Sequence, residues 1–334
     1  DNYQLGYVAY QLDSLDEAVK HLEKVTNKED KIAQNAYYHL ADCYLQHDQK
    51  NKAQLAFQFA SRLDFDPQIQ ENALFNYAKL TFEMRNTPFN DAIKAFKEYI
   101  ERYPDSKNTT EAYNYLVNAY LHSNNYKEAL NSLEELDKLE LPLQKAYQKV
   151  AYYRGLELYN NRHYEEAVET FNKSLKYNDF NQRIASLSRY WQAESYYQIE
   201  SFEKAAGSYN RFLLSPGAYN TDVYARAHYN LGYTHFQLKD YSSAVKWFRK
   251  YVNITDAEQN SYLADTYNRL GDAYFIQRNY GQAINYYENA IELGLRSQDY
   301  SLFQKGFAFG LRNRPEKKIA TLKRLVEKHP ESGY

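Results

Sequence analysis

From Ala264 to Gly294 the chain reads ADTYNRLGDAYFIQRNYGQAINYYENAIELG, and its apolar positions recur as two short amphipathic helices would place them. The first carries Tyr267, Leu270, Gly271 and Tyr274 at i, i+3, i+4 and i+7. The second carries Ala283, Tyr287 and Ala290, and a turn is predicted at Gln277 to Asn279. Neither helix can bury its apolar stripe alone, so the pair needs neighbours of its own kind. They are present along the whole chain. Aligned on the small residue of the first helix, the segments give Gly6, Ala41, Ala78, Val117, Gly155, Ala193, Gly232, Gly271 and Gly306. The second helices give Ala18, Ala53, Ala92, Ala129, Ala167, Ala205, Ala244 and Ala283, with Lys318 breaking the series. Ala129, Ala167 and Ala205 follow one another at steps of 38, and the other steps run from 35 to 39. A fixed period of this size predicts an all-α solenoid of about nine helical hairpins over residues 1–334.

The small residues have a mechanical role: where two helices cross, Gly or Ala lets the backbones approach and large side chains fill in around them. Leu in place of Ala167 would overpack such a crossing by about 1–3 kcal/mol. The filling residues are expected to be Tyr44, Tyr120, Tyr196 and Tyr274 in first helices, and Phe57, Phe96, Phe171, Phe248 and Tyr287 in second helices. Local departures are few. The turn MRNTPFND is longer than the others, with Pro88 starting the next helix. Gly207 lies inside a second helix, and SPGAYNT (215–221) is the least helical linker and the expected place for a bend.

Length alone, 334 residues, would favour two domains, but a repeat array with a continuous core overrides that expectation. The 41 Lys and Arg nearly balance 43 Asp and Glu, which argues against nucleic acid as the partner. The single cysteine, Cys43, makes no internal disulfide, and no apolar run reaches the roughly 18 residues of a membrane span. The chain starts at Asp1 without initiator Met or leader, enters within a first helix at Tyr3-Gln4-Leu5-Gly6, and stops at Ser332-Gly333-Tyr334 where another would begin. A processed protein or a piece of a longer repeat array is expected. With 37 Tyr against 17 Phe, many rings are expected at half-wet surfaces, one edge packed and the hydroxyl in water.

The segments YNRLGDAYFIQRNYGQAINYYENAIELG, YLVNAYLHSNNYKEALNSL and YNLGYTHFQLKDYSSAVKWFRKYV resemble tetratricopeptide repeats, and the resemblance covers essentially the whole chain. It implies a right-handed superhelix with the first helices on its concave side and a peptide or protein partner bound there. The units are longer than the family's usual period of about 34. The family's Pro after the second helix is present as Pro104 and Pro330, arguably as Pro67 and Pro216, and missing elsewhere. The turns YPDS and HPES are similar to those of bacterial envelope members, which implies a periplasmic or outer-membrane-associated setting, with the cytoplasm as the alternative.

Signatures of catalysis are missing: there is no GxxxxGK, HExxH, GxSxG or CxxC, so an enzyme is not expected, nor a cofactor or metal. His228 and His235 share a helix face, but on the packing stripe, so they are read as partly buried side chains. Asp64-Phe65-Asp66 before Pro67 reads as a helix-start turn rather than a metal site. The sequons at Asn108, Asn172 and Asn253 would mean nothing in a bacterial protein. The basic residues of 296–328, from Arg296 through Lys305 to Lys328, read as a solvated helix face.

Function is expected on the other stripe of the first helices, one position past the packing stripe. That places Tyr38 and Asp42, Phe75 and Phe82, Tyr152 and Tyr159, and Tyr190, Glu194 and Tyr197 in a groove. It continues with Tyr229, Tyr233 and Phe236, then Asp272 and Phe275, and Asn114, Asn118 and Leu121 are expected to face it as well. Rings supply large rigid contact area, which suits recognition of a protein. Chaperone-binding members of the family hold a C-terminal carboxylate with Lys, Arg and Asn. Asp42, Glu194 and Asp272 occupy several of the matching places here, so a partner with basic or aromatic side chains is expected instead. The alternatives are sugar stacking on the rings and a docking or sensor role within a larger regulator.

Overall fold

Helix starts are written into the sequence as short polar side chains. Asp30 Oδ1 accepts from the Ala33 amide at 2.8 Å, Asn181 Oδ1 from that of Ile184 at 3.0 Å, and Asp240 Oδ1 from that of Ser243 at 3.1 Å. Asp66 caps the next helix in the same way, bonded to the Ile69 amide, with Pro67 in the first turn and Lys31 at 3.1 Å. The DFDP segment is therefore a helix-start turn. The computed structural model describes residues 1–84, 89–136, 138–139, 141–255, 261–294 and 298–334. Within them the regular structure is helical throughout, with no strand.

The chain divides into two compact units, Asp1–Arg154 and Gly155–Tyr334. The first contains α1 (Asn2–Gln11), α2 (Leu15–Leu22), α3 (Lys31–Gln46), α4 (Lys50–Arg62), α5 (Pro67–Glu83), α6 (Phe89–Arg102), α7 (Thr109–His122) and α8 (Tyr126–Glu134). Helix α9 (Leu141–Asn160) runs across the boundary. The second unit continues with α10 (Tyr164–Leu175), α11 (Gln182–Gln198), α12 (Phe202–Leu213), α13 (Tyr224–Gln237) and α14 (Tyr241–Ile254). It ends with α15 (Ser261–Ile276), α16 (Tyr280–Glu292), α17 (Gln298–Leu311) and α18 (Pro315–Lys328). Taken in order, these helices of the described residues pair into nine hairpins, the α-α solenoid architecture that the spacing predicts.

The eight second-helix alanines are all fully buried. What fills in around the small first-helix residues is one large side chain from the second helix. A Cβ on Gly155, Gly232 or Gly271 would meet the ring of Phe171, Phe248 or Tyr287 at 2.5–2.6 Å, and on Gly6 or Gly306 it would meet Leu22 or Leu322. The second-helix rings are accordingly the most buried of the large side chains, whereas Tyr196 and Tyr274 keep a partly exposed edge. Gly207 has open space where its Cβ would stand, with Arg211 Nη2 nearest at 3.7 Å, so packing does not require it.

Among the described residues, the link between the helices of a hairpin is uniform. Asp13, Asp48, Asn124, Arg162, Glu200, Lys239, Arg278 and Asn313 all have φ between 55° and 65°. The next amide closes back on the first helix each time, as from Ser201 to the Tyr196 carbonyl at 2.9 Å and from Asn279 to that of Tyr274 at 2.8 Å. This is the Schellman closure, made here without glycine.

Segment 215–221 is tied into the second unit. Gly217 lies so close to the α11 start that a Cβ would stand 2.5 Å from the Gln182 carbonyl oxygen, Ala218 is fully buried, and Arg189 Nη1 donates to Ser215 Oγ at 3.2 Å. In the basic end, Lys305 departs from the solvated reading: it is partly buried and pairs with Glu288, which Arg324 approaches at 3.9 Å. Pro88 and Arg296 lie outside the described residues.

Candidate functional site

Two carboxylates on first helices of the second unit occupy the same register position, immediately after the small residue. Glu194 follows Ala193 on α11, and Asp272 follows Gly271 on α15. Each accepts the hydroxyl of the ring packed on its own hairpin: Tyr209 to Glu194 Oε1 at 2.6 Å and Tyr287 to Asp272 Oδ1 at 2.8 Å. Each also accepts from the following first helix, Glu194 from Asn230 Nδ2 and Asp272 from the Tyr300 hydroxyl at 2.7 Å. Asp42 in the first unit stands in the equivalent place and accepts from Tyr10 on the preceding first helix at 3.2 Å. Burial is the leading influence on all three carboxyls and pushes their pKa values up, against the hydrogen bonds that pull them down.

Between α13 and α15 the arrangement extends sideways. Tyr229 and Tyr233 both donate their hydroxyls to Asp265 Oδ2, the former at 2.8 Å. Arg269 stands between the acids, with Nε 3.5 Å from Asp265 and Nη1 2.6 Å from Asp272. The Tyr229 and Tyr233 rings meet at 5.0 Å and an interplanar angle of 60°. Beside them opens a recess of about 240 Å³ lined by Glu194, Tyr197, Gln198, Tyr209, Tyr229, Asn230 and Tyr233.

Four residues that the sequence assigned to the groove, Glu194, Tyr197, Tyr229 and Tyr233, thus line one recess. Four others lie inside: Tyr190 is 2% exposed, Phe75 and Tyr152 7%, and Asp272 8%. A position one residue past the packing stripe is also where the neighbouring hairpin packs, so these side chains are covered by protein. Tyr190 stands behind Glu194, its hydroxyl accepting from Asn230 at 3.2 Å, and its ring packs on Phe212 at 5.5 Å. Asp272 is met by Arg269 and two phenols and has no side open to a basic partner. Tyr38, Asp42 and Phe82 are half-buried in the first unit.

Rings at the ends of several first helices close their own hairpins. Tyr159 packs edge-on against Tyr164, Tyr197 against Phe202, Phe236 against Tyr241 and Phe275 against Tyr280, with centroids 5.2–5.4 Å apart. In each case the last ring of a first helix clasps the first ring of the second.

Tyr209, Asn230, Gln198, Asp265, Arg269 and Tyr300 escaped the sequence reading. A signal for Tyr209 was present. In the second unit the residue four past the second-helix Ala is Tyr where an acid follows the small residue (Glu194 with Tyr209, Asp272 with Tyr287). It is Phe where none does (Leu156 with Phe171, Tyr233 with Phe248). The histidines are structural: His228 is buried with its Nδ1 3.0 Å from the Tyr224 carbonyl, and His235 lies 3.3 Å from Asp240, burial lowering the pKa of both. Among the described residues no group of three or more His, Cys, Asp or Glu is disposed to hold a metal, and no helix is long and apolar enough to cross a membrane.

Sequence models of the tetratricopeptide repeat match residues 2–27, 83–138, 152–223, 225–257, 264–293 and 300–332. Solved structures similar to the chain include that of MamA protein, 18% identical, covering 55% of this chain and 93% of that one, with a TM-score of 0.48. Another is YrrB, described as a TPR protein with an unusual peptide-binding site, 16% identical over 62% of this chain and 93% of that one, TM-score 0.46. A third is the C-terminal part of a TPR repeat-containing protein from Cytophaga hutchinsonii, 18% identical over 78% and 96%, TM-score 0.44. No curated protein matches the sequence. With repeat matches spread from residue 2 to residue 332 over successive helical hairpins, the chain belongs to the tetratricopeptide repeat family, whose members generally serve as protein–protein interaction scaffolds.

Proposed function

We propose that the chain is a scaffold that binds a peptide or protein partner on the first-helix face of its second unit. The observation that carries this reading is the recess between α11 and α13. Its volume, about 240 Å³, falls below the roughly 300–1,000 Å³ of sites that enclose a small molecule, and it suits one side chain of an extended segment. Its Tyr229 and Tyr233 walls are held by hydrogen bonds to Asp265 before any partner arrives, which lowers the ordering cost of binding. The family fold is typically a non-catalytic scaffold, which agrees with this reading. Selection of displayed peptides against the immobilised chain tests it. Peptides so selected are expected to lose binding to the double variant Tyr197→Ala, Tyr233→Ala while its helical circular dichroism is retained; equal binding to parent and variant would reject this face.

The cell-envelope setting is supported by the YPDS and HPES turns. Cell fractionation of the native protein in its own host tests it, and recovery in the cytosolic fraction would reject it.

A further inference from the structure

We infer that the recess on the second unit accepts a single cationic side chain, Lys or Arg, from an extended segment of the partner. The inference rests on the reading of this face as a peptide-binding surface and names what it selects. The acid of the recess is Glu194, and the Tyr209 and Asn230 bonds both fall on its Oε1. Oε2 takes neither of these two bonds, and the Tyr190 hydroxyl is the further hydrogen-bond partner of the carboxyl. None of the seven lining residues is basic. Of the nearby cations, Arg269 bridges Asp265 and Asp272, and Arg226, over the Tyr262 ring at 5.4 Å, reaches Glu194 through its field and not by an ion pair.

The walls favour the same guest. The hydroxyls of Tyr229 and Tyr233 are committed to Asp265, so what these residues offer the recess is ring surface, set at an angle of 60°. Tyr197 is steadied edge-on by Phe202 at 5.3 Å. Ring faces around a recess attract an ammonium or guanidinium head, and they also cover the apolar stem behind it. An aliphatic side chain would fill the volume but add no charge opposite the buried carboxyl, which has only the more distant Arg226. An acidic one would set like charges together. Burial disfavours the ionised form of Glu194 in the free protein, and an arriving cation restores it.

The full chain is titrated with pools of fluorescein-labelled nine-residue peptides, randomised except for a central residue fixed as Lys, Arg, norleucine, citrulline or Glu. The Lys or Arg pool is expected to bind about tenfold more tightly than the norleucine and citrulline pools, the Glu pool most weakly. Glu194→Gln is expected to erase that preference. Gln198→Lys, an exposed change at the rim that supplies an ammonium from within, is expected to erase it too, and keeps the test decisive if the buried substitution fails to fold. Norleucine binding as well as Lys, or a preference surviving Gln198→Lys, overturns the cationic guest and leaves peptide binding standing. Binding by none of the pools overturns both.

Discussion

At the scale of single residues, Glu194 and Asp272 act as joints, each gathering a phenol from its own hairpin and a donor from the next. The linkage sign follows from their raised pKa values. A carboxyl that holds its proton more tightly when folded costs stability above its folded pKa, and that cost disappears as pH falls below the ordinary value. Glu194→Gln removes the titration. The difference in Tm between Glu194→Gln and the parent, variant minus parent, should therefore grow more positive from pH about 4.5, the ordinary Glu value, up to neutrality. Thermal melts across that range check it; a flat or falling difference would show that the acid is not strained by burial. The acids themselves were legible in the sequence as the residues after Ala193 and Gly271. Their partners on the following hairpin were not, because Tyr300 lies 28 residues from Asp272 and reaches it only when that hairpin stacks.

At the scale of the element, the hairpin is built on contact between a first-helix small residue and a second-helix ring. At Gly271 the ring is Tyr287, whose hydroxyl is held by Asp272, so it has little freedom to withdraw. Gly271→Ala should cost about 1–3 kcal/mol in urea denaturation, as overpacking does. Gly207→Ala, with its Cβ in open space, should instead stabilise α12 by up to about 1 kcal/mol. Equal effects at the two sites would refute this account of the crossing. Helix positions and the packing role of the alanines were readable from period alone, since a stripe repeating every 35–39 residues leaves few alternatives. The clasping rings were readable only in part. Tyr159, Tyr197, Phe236 and Phe275 are aromatic residues at the end of a first helix, and periodicity does not distinguish a ring facing a partner from one folded across its own turn. The same ambiguity put Tyr152 and Tyr190 in the groove, where a rotation of one residue separates the lining from the layer behind it.

At the scale of the whole molecule, two compact units within one repeat array imply that unfolding need not be all-or-none. The chain has two tryptophans, Trp191 and Trp247, and both belong to the second unit. Tryptophan fluorescence therefore follows that unit alone, whereas far-ultraviolet circular dichroism follows both. The two denaturation curves should have different midpoints; coincident curves would mean that the array melts as one.

The left-handed links bear on how such an array changes length. Glu200 follows Arg162 by 38 residues, and Lys239 follows Glu200 by 39, each with nearly the same torsion. A segment excised or duplicated between two of these points would meet its new neighbour at a joint that already exists elsewhere in the chain. Gene slippage could thus add or remove a hairpin without inventing a turn. What it would scramble is the acid–phenol pairing across the seam, so the array's growth is governed by its side-chain grammar and not by its backbone.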